Sequence, residues 1–163
     1  MTCASRLELE QRGHKLLGPG LFRGSLGIHH IALSVNDWGT SYPFYQALAR
    51  VLGAKPFIDS TGAPHRSDDG HVLIFVGDGF MISIWEAFQE NRANSFKDYN
   101  VGLHHFAFQA PSRQAVDELH EAVAALGDYI VDAPREYGYV PGYYAVFFRD
   151  PDGIRLEYAH IPA

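Results

Sequence analysis

Two histidines and a glutamate stand at related places in this chain, and together they are the kind of residues that hold a divalent metal. His30 lies in HHIALSV and His105 in HHFAFQA, near-copies set 75 residues apart. Glu157 lies in RLEYAH, 74 residues after Ser83 in MISIWE. Two neutral imidazoles and one carboxylate satisfy a borderline cation such as Fe(II), Mn, Ni, Co or Zn, and they leave coordination positions open to water and substrate. A single strand histidine is ordinarily a hydrogen-bonded structural residue, and a single glutamate near a strand end is ordinarily solvated. The three together, related by an internal duplication, point to a metal site.

The duplication extends well past the histidines. Leu52-Gly53 recurs 74 residues later as Leu126-Gly127, and Asp78-Gly79 recurs at the same distance as Asp152-Gly153. A near-constant offset across several landmarks is one supersecondary unit used twice. In the first copy, alternation predicts a strand over 27–35, and Asp37 then stands as a helix N-cap. Tyr42, Phe44, Tyr45, Leu48, Val51 and Leu52 follow at helical spacing until Gly53 closes the helix. Strands are expected over 54–60, 71–77 and 80–87. The second copy repeats the order, with a strand over 103–110, Ser112 as N-cap, a helix ending at Gly127, and strands over 129–133, 143–149 and 154–160. The chain thus reads as an α+β protein of two tandem βαβββ modules, 27–87 and 103–160, in one domain, with a linker at 88–102. Residues 1–26 read as an N-terminal extension, and 61–70, with His65 and Arg66, as a surface loop.

Strand alternation sorts the faces. Ile31, Leu33 and Val35 share the side that must meet a helix, which leaves His30, Ala32 and Ser34 on the other. Phe106 and Phe108 mark the helix side of the fifth strand and leave His105, Ala107 and Gln109 opposite. Ile154, Leu156 and Tyr158 likewise leave Arg155, Glu157 and Ala159, while Ile82 and Ile84 leave Met81, Ser83 and Trp85. The two modules therefore offer His30, Ser83, His105 and Glu157 at equivalent inward places. His29 and His104, one residue away, are expected on the helix side.

Composition bounds the function. A chain of 163 residues, 47% hydrophobic, can bury one sizeable core. Its net charge of −6 and lack of any basic run argue against a nucleic-acid partner. No apolar stretch approaches the ~18 to 20 residues of a membrane span, and the first residues lack a signal-peptide apolar core. A single cysteine, Cys3, excludes an intrachain disulfide and fits a reducing cytoplasm.

The motifs HHIALSV, GLHHFAFQA and FFRDPDGIRLEYAH resemble the vicinal oxygen chelate superfamily over residues 27–160. That superfamily includes glyoxalase I, methylmalonyl-CoA epimerase, fosfomycin-resistance thiol transferases, extradiol ring-cleaving dioxygenases and metal-free bleomycin-binding proteins. The resemblance implies modules paired into a cupped, incomplete mixed β-barrel around a divalent metal, with the metal positions on His30, His105 and Glu157. It also implies a homodimer, formed by exchanged or edge-paired modules. Glyoxalase I and the epimerases carry a fourth ligand, Glu or Gln, where this chain has Ser83, so the chain is more similar to the three-ligand branches. Three activities follow as expectations. The first is a metal-dependent lyase, isomerase or transferase acting on a small substrate chelated through two oxygens; the second is an Fe(II) extradiol-type dioxygenase; the third is a metal-free binding protein.

An acid or base would come from the cavity. Tyr143 and Tyr144 are the catalytic candidates within REYGYVPGYYAVFF, where Tyr137 and Tyr139 also stand; a phenol can pass a proton, and such a run can equally pack as an aromatic layer. Gly138, Pro141 and Gly142 read as a loop at the cup mouth. Met81 and Trp85 would form an apolar wall, and Ser83, Gln109 and Arg155 the polar contacts of a small aromatic or hydrophobic substrate. Arg155 suits a substrate carboxylate, or solvent. Ser83→Glu is expected to tighten metal retention, as measured by metal content after dialysis against chelator.

Overall fold

Alternating apolar and small residues make 31–35 a strand, and from there the computed structural model, which describes residues 28–57, 72–94, 96, 97 and 99–162, follows the duplicated order. The first module comprises β1 (Ile31–Val35), α1 (Trp38–Val51), β2 (Lys55–Pro56), β3 (Val72–Val76) and β4 (Met81–Glu86). A 3-10 turn at Gln89–Asn91 lies in the linker. The second module comprises β5 (Phe106–Gln109), α2 (Arg113–Ala124), β6 (Ile130–Glu136), β7 (Tyr144–Arg149) and β8 (Arg155–His160). The extension 1–26, the loop 61–70 and the end of the strand expected at 54–60 lie outside the described residues. No helix among the described residues is long and apolar enough to cross a membrane.

Each module forms a four-stranded mixed sheet, ordered β1-β4-β3-β2 and β5-β8-β7-β6, in which the first pair is parallel and the rest antiparallel. The register is duplicated too: Ala32 pairs with Ser83 as Ala107 pairs with Glu157. Both helices start at the expected caps. Asp37 Oδ1 accepts from the Thr40 amide at 3.1 Å, and Ser112 Oγ accepts from the Ala115 amide at 3.1 Å. Such caps satisfy donors that the first helical turn leaves without partners. Gly53, at φ +67°, ends the first helix in a conformation that favours glycine.

Two expectations need correction. The strand placed at 129–133 runs on to Glu136 through Pro134, with irregular register on either side of Asp132. Proline is tolerated there because β6 is the edge of its sheet and Pro134 needs no ladder donor. The strands carrying the histidine pairs begin only at Ile31 and Phe106, so alternation does not reach His29 or His104. His29 is exposed rather than turned toward the helix, and His104 is half-buried beside the Tyr99 ring, 4.7 Å between centroids.

One core unites the modules. Leu33, Val35 and Ile84 of the first sheet, Val146, Phe148 and Leu156 of the second, and the apolar stripes of both helices form a single buried cluster. Each sheet turns its helix-bearing side into this core, and its other face turns away from it.

The β7–β8 turn secures the junction. Asp150, 2% exposed, accepts through Oδ1 from the amides of Asp152 (3.0 Å) and Ile154 (2.7 Å), and through Oδ2 from the Tyr45 hydroxyl of α1 (2.7 Å). Asp152 Oδ2 accepts from the Asn36 amide at 3.0 Å and the Ser41 hydroxyl at 3.3 Å. Gly153, at φ +86°, completes the turn. The DPDG segment therefore ties module 2 to the start of α1.

Burial raises the Asp150 carboxyl from 3.8 to about 6, against the hydrogen bonds that favour its charge. The folded chain thus keeps a proton that the unfolded chain loses. Stability from this group falls as pH rises from about 4 to about 6 and stays lower above, by on the order of 3 kcal/mol. Asp150→Asn keeps the acceptor for the two amides and cannot ionise. Its urea unfolding free energy is expected to lack the decline across that window which wild type shows.

Candidate metal and substrate site

The open face of the second sheet gathers most of the chemistry. Glu157 of β8 pairs with Ala107 of β5 on one side and Phe147 of β7 on the other, in the middle of the sheet. Its residue exposure is 2%, on a face formed with Ala145, Phe147 and Ala159. A carboxylate so placed is costly unless polar groups meet it. Two do: His105 Nε2 lies 3.1 Å from Oε2, and the Tyr143 hydroxyl donates a short hydrogen bond to Oε1.

Aromatic rings wall this face. Phe147 meets His105 edge-on at 5.8 Å between centroids and Tyr137 at 5.3 Å, and Tyr137 stacks on Tyr139 at 5.8 Å with planes 6° apart. The Arg155 guanidinium lies over the Phe147 ring at 4.8 Å, a cation–π contact on the same face as Glu157. Period-two reading of 143–149 carries the signal for Phe147, since Tyr143, Ala145 and Phe147 share a side; sequence reasoning passed over this residue in favour of the tyrosines.

The two catalytic candidates part company. Tyr143 is raised well above the ordinary phenol range, by burial first and then by its hydrogen bond to Glu157, so its hydroxyl is a donor and not a base near neutrality. Tyr144, one residue on, points to the other side. Its hydroxyl donates to Asp117 Oδ1 of α2 at 2.8 Å, and Arg113 covers its ring at 5.0 Å. A one-residue step in a strand reverses the face, which removes Tyr144 from Glu157.

The first-module residues lie elsewhere. Ser83 is buried, and its hydroxyl accepts from Trp85 Nε1 at 3.0 Å. His30, Met81 and Gln109 line a cavity of about 780 Å³ between the modules, with Phe80, Phe106 and Phe108. Among the described residues no three His, Cys, Asp or Glu side chains come within reach of one ion, so His30 does not join His105 and Glu157 within the chain. The expected triad is thus split into a pair and a single histidine.

Residues 27–158 match the Glyoxalase/Bleomycin resistance protein/Dioxygenase superfamily. The chain belongs to that superfamily, the vicinal oxygen chelate proteins, as both its sheets and its motifs indicate. It is 32% identical over 132 residues to the uncharacterized protein YqjT of Bacillus subtilis (strain 168), covering 80% of this chain and 95% of that one. A solved structure from Bacillus halodurans shares the fold with a TM-score of 0.66 at 25% identity, covering 82% of this chain and 95% of the other. A variant of the fosfomycin resistance protein FosX from Listeria monocytogenes, solved with Mn(II) and 1S,2S-dihydroxypropylphosphonic acid, superposes with a TM-score of 0.56 at 25% identity, covering 83% and 90%.

Tyr143→Phe withdraws a donor from a buried carboxylate and is expected to cost about 1–3 kcal/mol of unfolding free energy. Tyr144→Phe breaks a bond at the surface and is expected to cost under about 1 kcal/mol. Urea denaturation of the two variants checks the contrast.

Proposed function

We propose that this chain is a divalent-metal-dependent enzyme acting on a small substrate held through two neighbouring oxygens, in a site completed by a second copy of the chain. The observation that carries the reading is the His105–Glu157 pair, a nitrogen and a carboxylate 3.1 Å apart on a buried aromatic face. Their donor atoms fit a borderline divalent ion, and Glu157 is held for the purpose by Tyr143. The third ligand would be His30 of a second copy of the chain. The helix sides of both sheets are spent on the shared core, which supports a reading in which the face carrying Glu157 meets its counterpart on a second chain. The linker at 88–102 is long enough for modules to exchange.

A divalent ion held by His105 and Glu157 would supply positive charge to neutralise what develops on adjacent substrate oxygens. The surrounding residues do the rest. His105 and Glu157 fix its position, and Tyr143 orients the carboxylate while keeping its own proton. Phe147 and Tyr137 exclude water and favour an apolar substrate body. Ser83, in the place equivalent to Glu157, is a weak ligand engaged by Trp85, which leaves room for two substrate oxygens. FosX, with Mn(II) and a vicinal diol in one structure, supports this chemistry by likeness. Among reaction types, a lyase, isomerase or transferase is favoured over dioxygen chemistry.

Metal analysis of the purified chain is expected to show about one transition metal per chain, lost in Glu157→Ala and in His30→Ala. Mixing these two inactive variants is the sharper experiment. A hybrid dimer keeps one intact site, so random re-association should restore metal binding to about a quarter of wild type. No recovery would place His30 outside the shared site. Iron in the wild-type protein, with oxygen uptake on catechols, would replace the favoured reaction class by the dioxygenase.

A further inference from the structure

His29 and His104 have no part in the reading above, yet each engages its neighbour in the same way. Nδ1 of His29 lies 2.9 Å from Nδ1 of His30, and Nδ1 of His104 lies 2.6 Å from Nδ1 of His105. The rings stand nearly perpendicular in both pairs, 83° and 72°, with centroids 5.1 and 4.9 Å apart. One pair is exposed and the other half-buried, so the shared geometry belongs to the repeated HH motif and not to similar surroundings. Both pairs precede their strands, where alternation does not force neighbours apart, and adjacent rings can meet. His104 is itself braced by the edge of Tyr99, whose backbone holds φ +64°, an uncommon conformation for a residue with a side chain.

We propose that His104 is a positioning residue for His105, and His29 for His30, each holding Nδ1 of the following histidine so that Nε2 is the nitrogen presented for binding. Of two facing imidazole nitrogens, one donates and the other accepts. A half-turn of the His105 ring would set carbon against His104 and break this bond. Nε2 therefore stays where it is found, 3.1 Å from Glu157 Oε2. Metal-binding imidazoles generally have the second nitrogen hydrogen-bonded by a carboxylate, a carbonyl or water, which fixes the ring. Here the preceding residue supplies that partner, and the arrangement was copied with the module. The consequence for metal binding rests on the reading proposed above; the ring pairing does not.

The test uses the full-length chain, His104→Ala and His104→Asn, with Zn(II) alone as probe. Asparagine can meet Nδ1 in either role, accepting through Oδ1 where Nδ1 carries the proton and donating through Nδ2 where Nε2 keeps it against Glu157. His104→Ala is expected to weaken Zn(II) about 10- to 100-fold with its thermal midpoint kept, and His104→Asn to recover most of the loss. Zn(II) affinity within twofold of wild type in His104→Ala would overturn the proposal, as would no recovery in a natively melting His104→Asn. Imidazole ¹⁵N spectra of the metal-free protein separate the two readings: His105 Nδ1 is expected to move to the shift of an unbonded nitrogen in His104→Ala alone. If wild type takes up no Zn(II), the metal reading fails while this shift, if seen, upholds the pairing. An unchanged Nδ1 signal in His104→Ala overturns the pairing itself.

Discussion

Everything distinctive about this molecule depends on two small modules burying their helix-bearing sides in one another. A sheet of four strands with a single helix cannot remove enough apolar surface from water to stand alone. Here Leu33 and Ile84 of one sheet share a cluster with Phe148 and Leu156 of the other. That solution uses each module's helix side. The faces left over are the ones carrying Glu157 and Ser83, and they look outward from the common core. Asp150 shows how firmly the docking is held: a nearly inaccessible carboxyl in one module takes a hydroxyl from the other module's helix and two amides from its own turn.

The duplicated halves are equal in backbone and unequal in chemistry. Ala32 faces Ser83 with the register in which Ala107 faces Glu157, so the same scaffold position holds an alcohol in one module and a carboxylate in the other. The surroundings follow the difference. Glu157 draws in a histidine and a tyrosine, whereas Ser83 is answered by the indole of Trp85 two residues away. A neutral hydroxyl can be satisfied locally within one strand. The buried carboxylate of Glu157 takes its donors from residues that lead into the neighbouring strands β5 and β7, which is why the second face is the more elaborately built.

Much of this was legible in the residues. The constant offset between repeats gave the element order; Asp37 and Ser112 announced both helix starts; strand alternation separated Glu157 from Leu156 and Ser83 from Ile82. Three things were not legible, each for a physical reason. Alternation applies only inside a strand, so it assigned His29 and His104 to a side that residues before Ile31 and Phe106 need not respect. Adjacent tyrosines look alike in composition, and only the start of β7 decides that Tyr143 meets Glu157 while Tyr144 meets Asp117. Finally, how two modules dock depends on contacts more than a hundred residues apart, such as Tyr45 with Asp150, and no local pattern records them.

The outer strand β6 carries a further consequence. A sheet edge offers unpaired amides and carbonyls to any strand that drifts alongside, and so is a place where folded proteins polymerise. Along β6, Pro134 supplies no amide, the register breaks on both sides of Asp132, and Arg135 and Glu136 add charge. Ladder growth from that edge is opposed at several successive residues. The opposite edge, β5, is a regular run of only four residues, Phe106–Gln109, beside the cavity between the modules. The irregularity that obscured β6 in the sequence is thus a guard against open-ended stacking of this sheet, while among the described residues the β5 edge near His105 carries no such break.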